Sequence, residues 1–180
     1  MVKYTLPLDE GTKRIILRML KRYPELIECL ETDDLDKFFL KLYSLCSDND
    51  LSTIVQFLYE SGVDVLSYLD YIPRCAFVYG HIEEDFTVPS HIEMIDRFAF
   101  QASDITNLKF EENSQLKEIR EYAFFGSHLS GDVYLPDSIE TLYLGAFLST
   151  EVKTISAPGK CIIKDYSYVK SKDRVKLVSR

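Results

Sequence analysis

Several things are scarce in this chain. Tryptophan is absent, glycine and proline together account for 13 of 180 residues, and there are four cysteines and three histidines. So little glycine and proline argues against a collagen-like or low-complexity disordered chain. The cysteines, at positions 29, 46, 75 and 161, include no C-x-x-C pair and no regular spacing. Neither a disulfide framework nor a zinc site is signalled, and buried reduced thiols are expected. The first residues, Met1-Val2-Lys3-Tyr4-Thr5-Leu6-Pro7, lack the apolar run of a signal peptide. No apolar run approaches the roughly 18 residues that a spanning helix needs. A soluble cytoplasmic protein is the expectation.

Recognised catalytic spacings are missing too. There is no G-x-S-x-G, P-loop, G-x-G-x-x-G or H-E-x-x-H, so no enzyme and no cofactor is expected. Acidic Asp33, Asp34 and Asp36 read as helix-capping charges. Asp48-Asn49-Asp50 opens like a calcium loop but fails at its sixth and twelfth positions, Thr53 and Tyr59. The net charge of −8 is uneven: residues 1–72 carry −5, residues 73–159 carry −8 and residues 160–180 carry +5. The acidic middle should repel nucleic acid, whose binding depends on phosphate neutralisation.

What is present is a repeat. The pair Ala-Phe occurs at Ala76-Phe77, Ala99-Phe100, Ala123-Phe124 and Ala146-Phe147, at intervals of 23, 24 and 23 residues. Ahead of each pair stand two apolar residues three apart: Leu69 and Ile72, Ile92 and Ile95, Leu116 and Ile119, Ile139 and Leu142. Five residues past each Phe comes an aliphatic: Ile82, Ile105, Leu129, Val152. Short alternating stretches lie between, among them Phe86-Thr87-Val88-Pro89 and Val133-Tyr134-Leu135-Pro136. Alternation marks a strand with one buried face, and a closing proline ends the ladder without removing an interior donor. One such unit cannot bury its apolar face alone, so neighbours must stack. A fifth, decayed unit follows, with Ile163, Ser167-Tyr168 and a last strand near Val175-Lys176-Leu177-Val178. Five coils at about 4.8 Å per strand give a solenoid about 25 Å long.

Over residues 69–168 the pattern resembles the BspA-type leucine-rich repeats. The closest stretches are Val88-Pro89-Ser90-His91-Ile92-Glu93-Met94-Ile95 with Ala99-Phe100, and Leu135-Pro136-Asp137-Ser138-Ile139-Glu140-Thr141-Leu142 with Ala146-Phe147. Two departures are Glu111, where proline is expected, and Lys160, where an aliphatic is expected. The resemblance implies a curved, non-catalytic solenoid that binds protein. The resemblance extends to small bacterial and phage proteins, which implies a host-interaction role as a refinement.

Residues 9–68 read as helical. Ile15, Ile16, Met19, Leu20 and Tyr23 make one apolar face, and Pro24 ends that helix or begins the next. Leu26, Ile27 and Leu30 line a second helix. Leu35, Phe38, Phe39, Leu42 and Tyr43 fill a third, capped by Thr32-Asp33-Asp34, and Ile54, Val55, Phe57 and Leu58 a fourth, stopped at Gly62.

The expected fold is therefore α+β: an N-terminal α-helical bundle, residues 1–68, acting as a cap, fused to a short leucine-rich-repeat-like β-solenoid of about five repeats of about 23 residues, residues 69–180. Stacking places equivalent residues in columns. His81, Asp104, His128 and Glu151 should share an edge, read as solvated turn residues. Charges alternate along Glu93, Lys117, Glu140 and along Asp96, Arg120, Tyr143, as mutual pairing between coils requires. Exposed Tyr and Arg most often anchor interfaces, so Lys109, Arg120, Tyr122, Tyr134 and Tyr143 are the expected binding residues for a protein partner. No nucleic acid, membrane or small-molecule partner is expected, and self-association is open. The alternatives are a phage or host-interaction protein that inhibits a defence enzyme in the host cytoplasm, an acidic mimic of nucleic acid, and an enzyme, which would need a deep pocket.

Overall fold

The structure is a computed structural model and describes residues 9–32, 35–82, 85–164 and 176–180. The chain forms two compact units, residues 1–69 and residues 70–180.

The first unit holds four helices: α1 (Glu10–Met19), α2 (Pro24–Glu31), α3 (Leu35–Leu45) and α4 (Asp48–Glu60). Asp9 caps α1 by accepting the Thr12 N–H at 2.8 Å, and Ser47 caps α4 through the Asp50 N–H. Each supplies an acceptor to an orphan donor of the first turn. Pro24 occupies the first turn of α2, where its missing N–H costs nothing. Gly62, at φ +80°, closes α4: its N–H donates to Tyr59 O, and the Val63 N–H to Leu58 O. That is the paired 5→2 and 6→1 bonding of a left-handed helix end.

Ile16, Leu20, Leu26, Leu30, Phe38, Phe39, Leu42, Ile54, Val55 and Leu58 form the core of this unit. The first apolar face is narrower than its sequence predicts: Ile15 is 46% exposed, and Met19 and Tyr23 are half-buried. The α-helix tightens into a 3-10 turn at Leu20–Arg22, which shifts the angular positions that follow. Tyr23 instead sends its hydroxyl to Asp50 Oδ2 at 2.6 Å. The Asp33-Asp34 cap lies outside the described residues.

The second unit is a solenoid of parallel strands. One stack contains β1 (Tyr71–Ile72), β3 (Met94–Ile95), β5 (Glu118–Ile119), β7 (Thr141–Tyr143) and β9 (Ile162–Lys164), in that spatial order. Its register pairs Ile72 with Ile95, Ile95 with Ile119, Ile119 with Leu142 and Leu142 with Ile163. The remaining strands are β2 (Asp85–Val88), β4 (Asn107–Phe110), β6 (Ser130–Tyr134), β8 (Glu151–Ala157) and β10 (Lys176–Ser179). They form two ladders, β2–β4 and β6–β8–β10. Ile163 thus continues the repeat as expected, whereas Ser167-Tyr168 lie outside the described residues.

Phe77, Phe100, Phe124 and Phe147 lie inside every coil, each at most 1% exposed. Their rings form one pile, with centroids 5.1 to 5.2 Å apart and planes within 18° of parallel. The N–H groups of Phe77, Phe100 and Phe124 donate to the Ala carbonyl of the next coil, at 2.7 to 2.8 Å. The corner before Ala is left-handed at Cys75, Phe98 and Tyr122, with φ of 57° to 60°. A second left-handed column follows at Tyr79, Ala102, Gly126 and Ser149. A left-handed L-residue costs about 1–2 kcal/mol, and the bonds to the next coil offset it, for example Tyr79 N–H to Gln101 O and Ala102 N–H to Phe125 O, both 2.9 Å.

Candidate binding surface

Because each coil repeats the one before, side chains 21 to 24 residues apart become neighbours across coils. Lys109 Nζ donates to Asp85 Oδ2 at 2.6 Å while Asn107 donates to Asp85 Oδ1 at 2.7 Å. Those bonds, Lys109's first, hold the Asp85 carboxyl below its ordinary range. Lys117 donates to Glu93 at 2.8 Å, which raises the ammonium's pKa. Arg97 grips Glu121 through two nitrogens at 2.9 and 3.2 Å. Arg120 reaches Asp96 at 3.1 Å and Glu118 at 3.2 Å. Burial works against the charge on Arg120, but these two carboxylates outweigh it and the guanidinium is held more firmly protonated. His81 Nδ1 lies 2.6 Å from Asp104 Oδ2, and His128 Nδ1 lies 3.8 Å from Asp104 Oδ1.

The five residues expected to bind a partner divide between the two strand stacks. Lys109 and Tyr134 lie on β4 and β6, and Tyr134 is 64% exposed. Arg120, Tyr122 and Tyr143 follow or end β5 and β7. There, Tyr122 lies flat on Phe98, centroids 5.3 Å apart and planes 5° from parallel. Tyr143 holds Arg120's place one coil later, and Lys164 holds it one coil beyond that. Lys164 Nζ sits 4.9 Å from the Tyr143 ring centre and donates to its hydroxyl at 3.0 Å. A cation over a tyrosine face is attracted by the ring quadrupole. Lys164 was not among the expected residues, because its place in the column depends on the register of the last coil.

The split between β4 and β6 was also not foreseen. On the β4 side, the turn runs two residues longer than its counterpart after β2 and passes Asn113 at φ 58°. Glu111, at the position of the usual proline, uses its N–H to reach Val88 O at 3.1 Å. Its carboxylate accepts the Ser90 N–H at 2.8 Å, which holds that carboxyl below its ordinary range. On the β6 side, Gly131 turns left-handed at φ +72°, and the register with β8 shifts there, Gly131 facing Val152 and Asp132 facing Thr154, so that Lys153 of β8 is the extra residue. A groove of about 570 Å³ opens there, walled by Lys109, Asn113, Tyr134, Pro136, Asp137 and Arg180. The Arg180 guanidinium donates to Leu135 O and lies 3.4 Å from Asp137 Oδ1.

Among the described residues, no group of three or more His, Cys, Asp or Glu is arranged to hold a metal ion, and no helix is long and apolar enough to cross a membrane. No curated protein and no solved structure matches the chain. The family model for the BspA type leucine-rich repeat region matches residues 61–174, in six copies. Strand register, the phenylalanine pile and that match over more than half of the chain agree, and the chain belongs to the BspA-type leucine-rich repeat family.

Proposed function

We propose that this protein recognises a partner protein through the solenoid surface, with Arg120, Tyr122 and Tyr143 as one contact cluster and Lys109 with Tyr134 as another. Leucine-rich repeats of this family commonly mediate protein–protein interaction, and their solenoid is typically a scaffold rather than a catalyst. The observation that carries the reading is the fixing of the aromatic anchors: Tyr122 against Phe98, and Tyr143 beneath Lys164. A tyrosine already held in place loses little conformational freedom on binding, so more of its contact energy becomes affinity. A phage-encoded inhibitor of a host defence enzyme would be one instance of such recognition. Mimicry of nucleic acid is less favoured, because Asp85, Glu93, Asp96 and Glu121 are each bridged by a cation of the neighbouring coil.

The test is quantitative capture from native lysate with the full chain and with Tyr122→Ala/Tyr143→Ala as baits, the circular dichroism of the two being matched. Loss of a specific captured protein supports the reading. An identical captured set from both baits overturns it.

A further inference from the structure

We propose that the groove at the β4–β6 split is a binding site for a neutral saccharide unit. The site contains Lys109 and Tyr134, the second contact cluster named above, and reads them as a saccharide subsite; it is separate from the Arg120–Tyr122–Tyr143 cluster and does not depend on it.

The case rests on which polar groups in the groove are already bonded. Lys109 is held by Asp85, Arg180 by Leu135 O and Asp137, and Glu111 by the Ser90 N–H. Ser114 Oγ accepts the Leu116 N–H, and Ser138 Oγ donates to Leu116 O. The described contacts leave open to a ligand the ring and hydroxyl of Tyr134, the carboxamide of Asn113, the outer oxygen of Asp137, whose side chain is 90% exposed, and the proton of the Ser114 hydroxyl.

Charge narrows the ligand further. Lys109 and Arg180 balance Glu111 and Asp137. A phosphate or polyanion would find no cation without a partner, and a cationic ligand would compete with Arg180 for Asp137. An uncharged ligand with many hydroxyls matches what remains. A carboxylate accepts two hydroxyl protons, and a carboxamide both donates and accepts. The flat phenol ring offers an apolar face to the C–H face of a pyranose. A volume of about 570 Å³ falls within the roughly 300–1,000 Å³ of small-molecule sites.

The groove is built into the backbone. It lies where β4 and β6 share no ladder and the chain leaves β4 through the long turn at Asn113. On the β8 side, by contrast, β6 is laddered from Ser130 to Tyr134 with a single register shift.

The test is titration of the ¹⁵N-labelled full chain with maltotriose, cellotriose, mannotriose and triacetylchitotriose. Sialyllactose serves as the charged arm and a neutral hexapeptide as the peptide arm. At least one neutral trisaccharide should shift the amides of residues 108–114 and 134–138 with a Kd on the order of 1 mM. Tyr134→Ala should raise that Kd about tenfold, and Tyr134→Phe less. Asn113→Gly, which keeps the left-handed turn and removes the carboxamide, should weaken binding several-fold. The proposal is overturned by no shift with any neutral sugar, shifts elsewhere, tighter binding of sialyllactose or the peptide, or an unchanged Kd in Tyr134→Ala. Capture by the Tyr122/Tyr143 variant reads the other site, so either reading can fail without the other.

Discussion

The rings of Phe100 and Phe124, 24 residues apart in sequence, lie 4° from parallel with centroids 5.1 Å apart and no solvent exposure. One stacking contact of this kind at each coil boundary makes the array a continuous core rather than a string of separate turns. Phe124 touches a ring above and a ring below, so its loss is felt in both neighbouring coils.

Phe124→Ala is accordingly expected to cost about 3–5 kcal/mol, the usual range for a buried Phe truncated to Ala. Phe124→Leu, which keeps most of the volume, should cost clearly less. Urea denaturation followed by circular dichroism measures both. A Phe124→Ala loss below about 1 kcal/mol would show that the pile contributes little.

Ala102 and Gly126 occupy the same left-handed corner in successive coils, at φ 51° and φ 65°. A Cβ built at Gly126 meets nothing within 4 Å, so Gly126→Ala tests backbone conformation alone and should destabilise by about 1–2 kcal/mol. Ala102→Gly removes that strain but frees the unfolded chain, leaving a gain of about 0.5 kcal/mol. Thermal melts of the pair should move in opposite directions, and a shared sign would refute the argument.

Asp85 and Glu111 have folded pKa values below their ordinary 3.8 and 4.5. The unfolded chain therefore takes up protons first as the solution is acidified. The contribution of these groups is fully present at neutral pH, starts to fall near those ordinary values, and is lost as pH drops through the lower folded ones. Denaturation midpoints between pH 7 and pH 2.5 should show this acid limb, and Asp85→Asn with Glu111→Gln should flatten it. Both side chains are exposed, so the effect is small. An acid limb unchanged in the double variant would refute the assignment.

Glu111→Pro restores the family's usual residue at this turn and should nevertheless destabilise, by about 1–3 kcal/mol, because it removes the bond to Val88 O and leaves the Ser90 N–H without its carboxylate. Glu111→Gln keeps both bonds and should cost less than about 1 kcal/mol. Comparing their urea midpoints decides the matter, and a stabilised proline variant would count against it.

Burial pushes the Cys46 thiol up to about 11 from its ordinary 9.0, with the Tyr23 hydroxyl pulling the other way. At pH 8 its thiolate fraction is then about a hundredfold below that of an ordinary thiol. Iodoacetamide labelling read by peptide mass spectrometry should find Cys46 modified about that much more slowly than a free cysteine. Labelling at the rate of the free thiol would contradict the burial.

The amino-acid sequence alone determined the coil. Ala-Phe at 23- and 24-residue intervals, with aliphatics at fixed offsets, can bury its apolar faces only by stacking. Lys109, Arg120 and Tyr143 were legible as members of columns because a column follows from the repeat length. What the tertiary structure decided is how the coils join. The left-handed corners at Cys75, Tyr79 and Ala102 carry no glycine to announce them, since N–H bonds to the next coil stabilise that conformation in ordinary residues. Separation of Lys109 and Tyr134 from Arg120, Tyr122 and Tyr143 depends on which of two strand stacks each residue joins. The groove exists because β4 and β6 share no ladder and the chain leaves β4 through the long turn at Asn113. That turn is a local irregularity of a single coil, and only the register between coils makes it a gap.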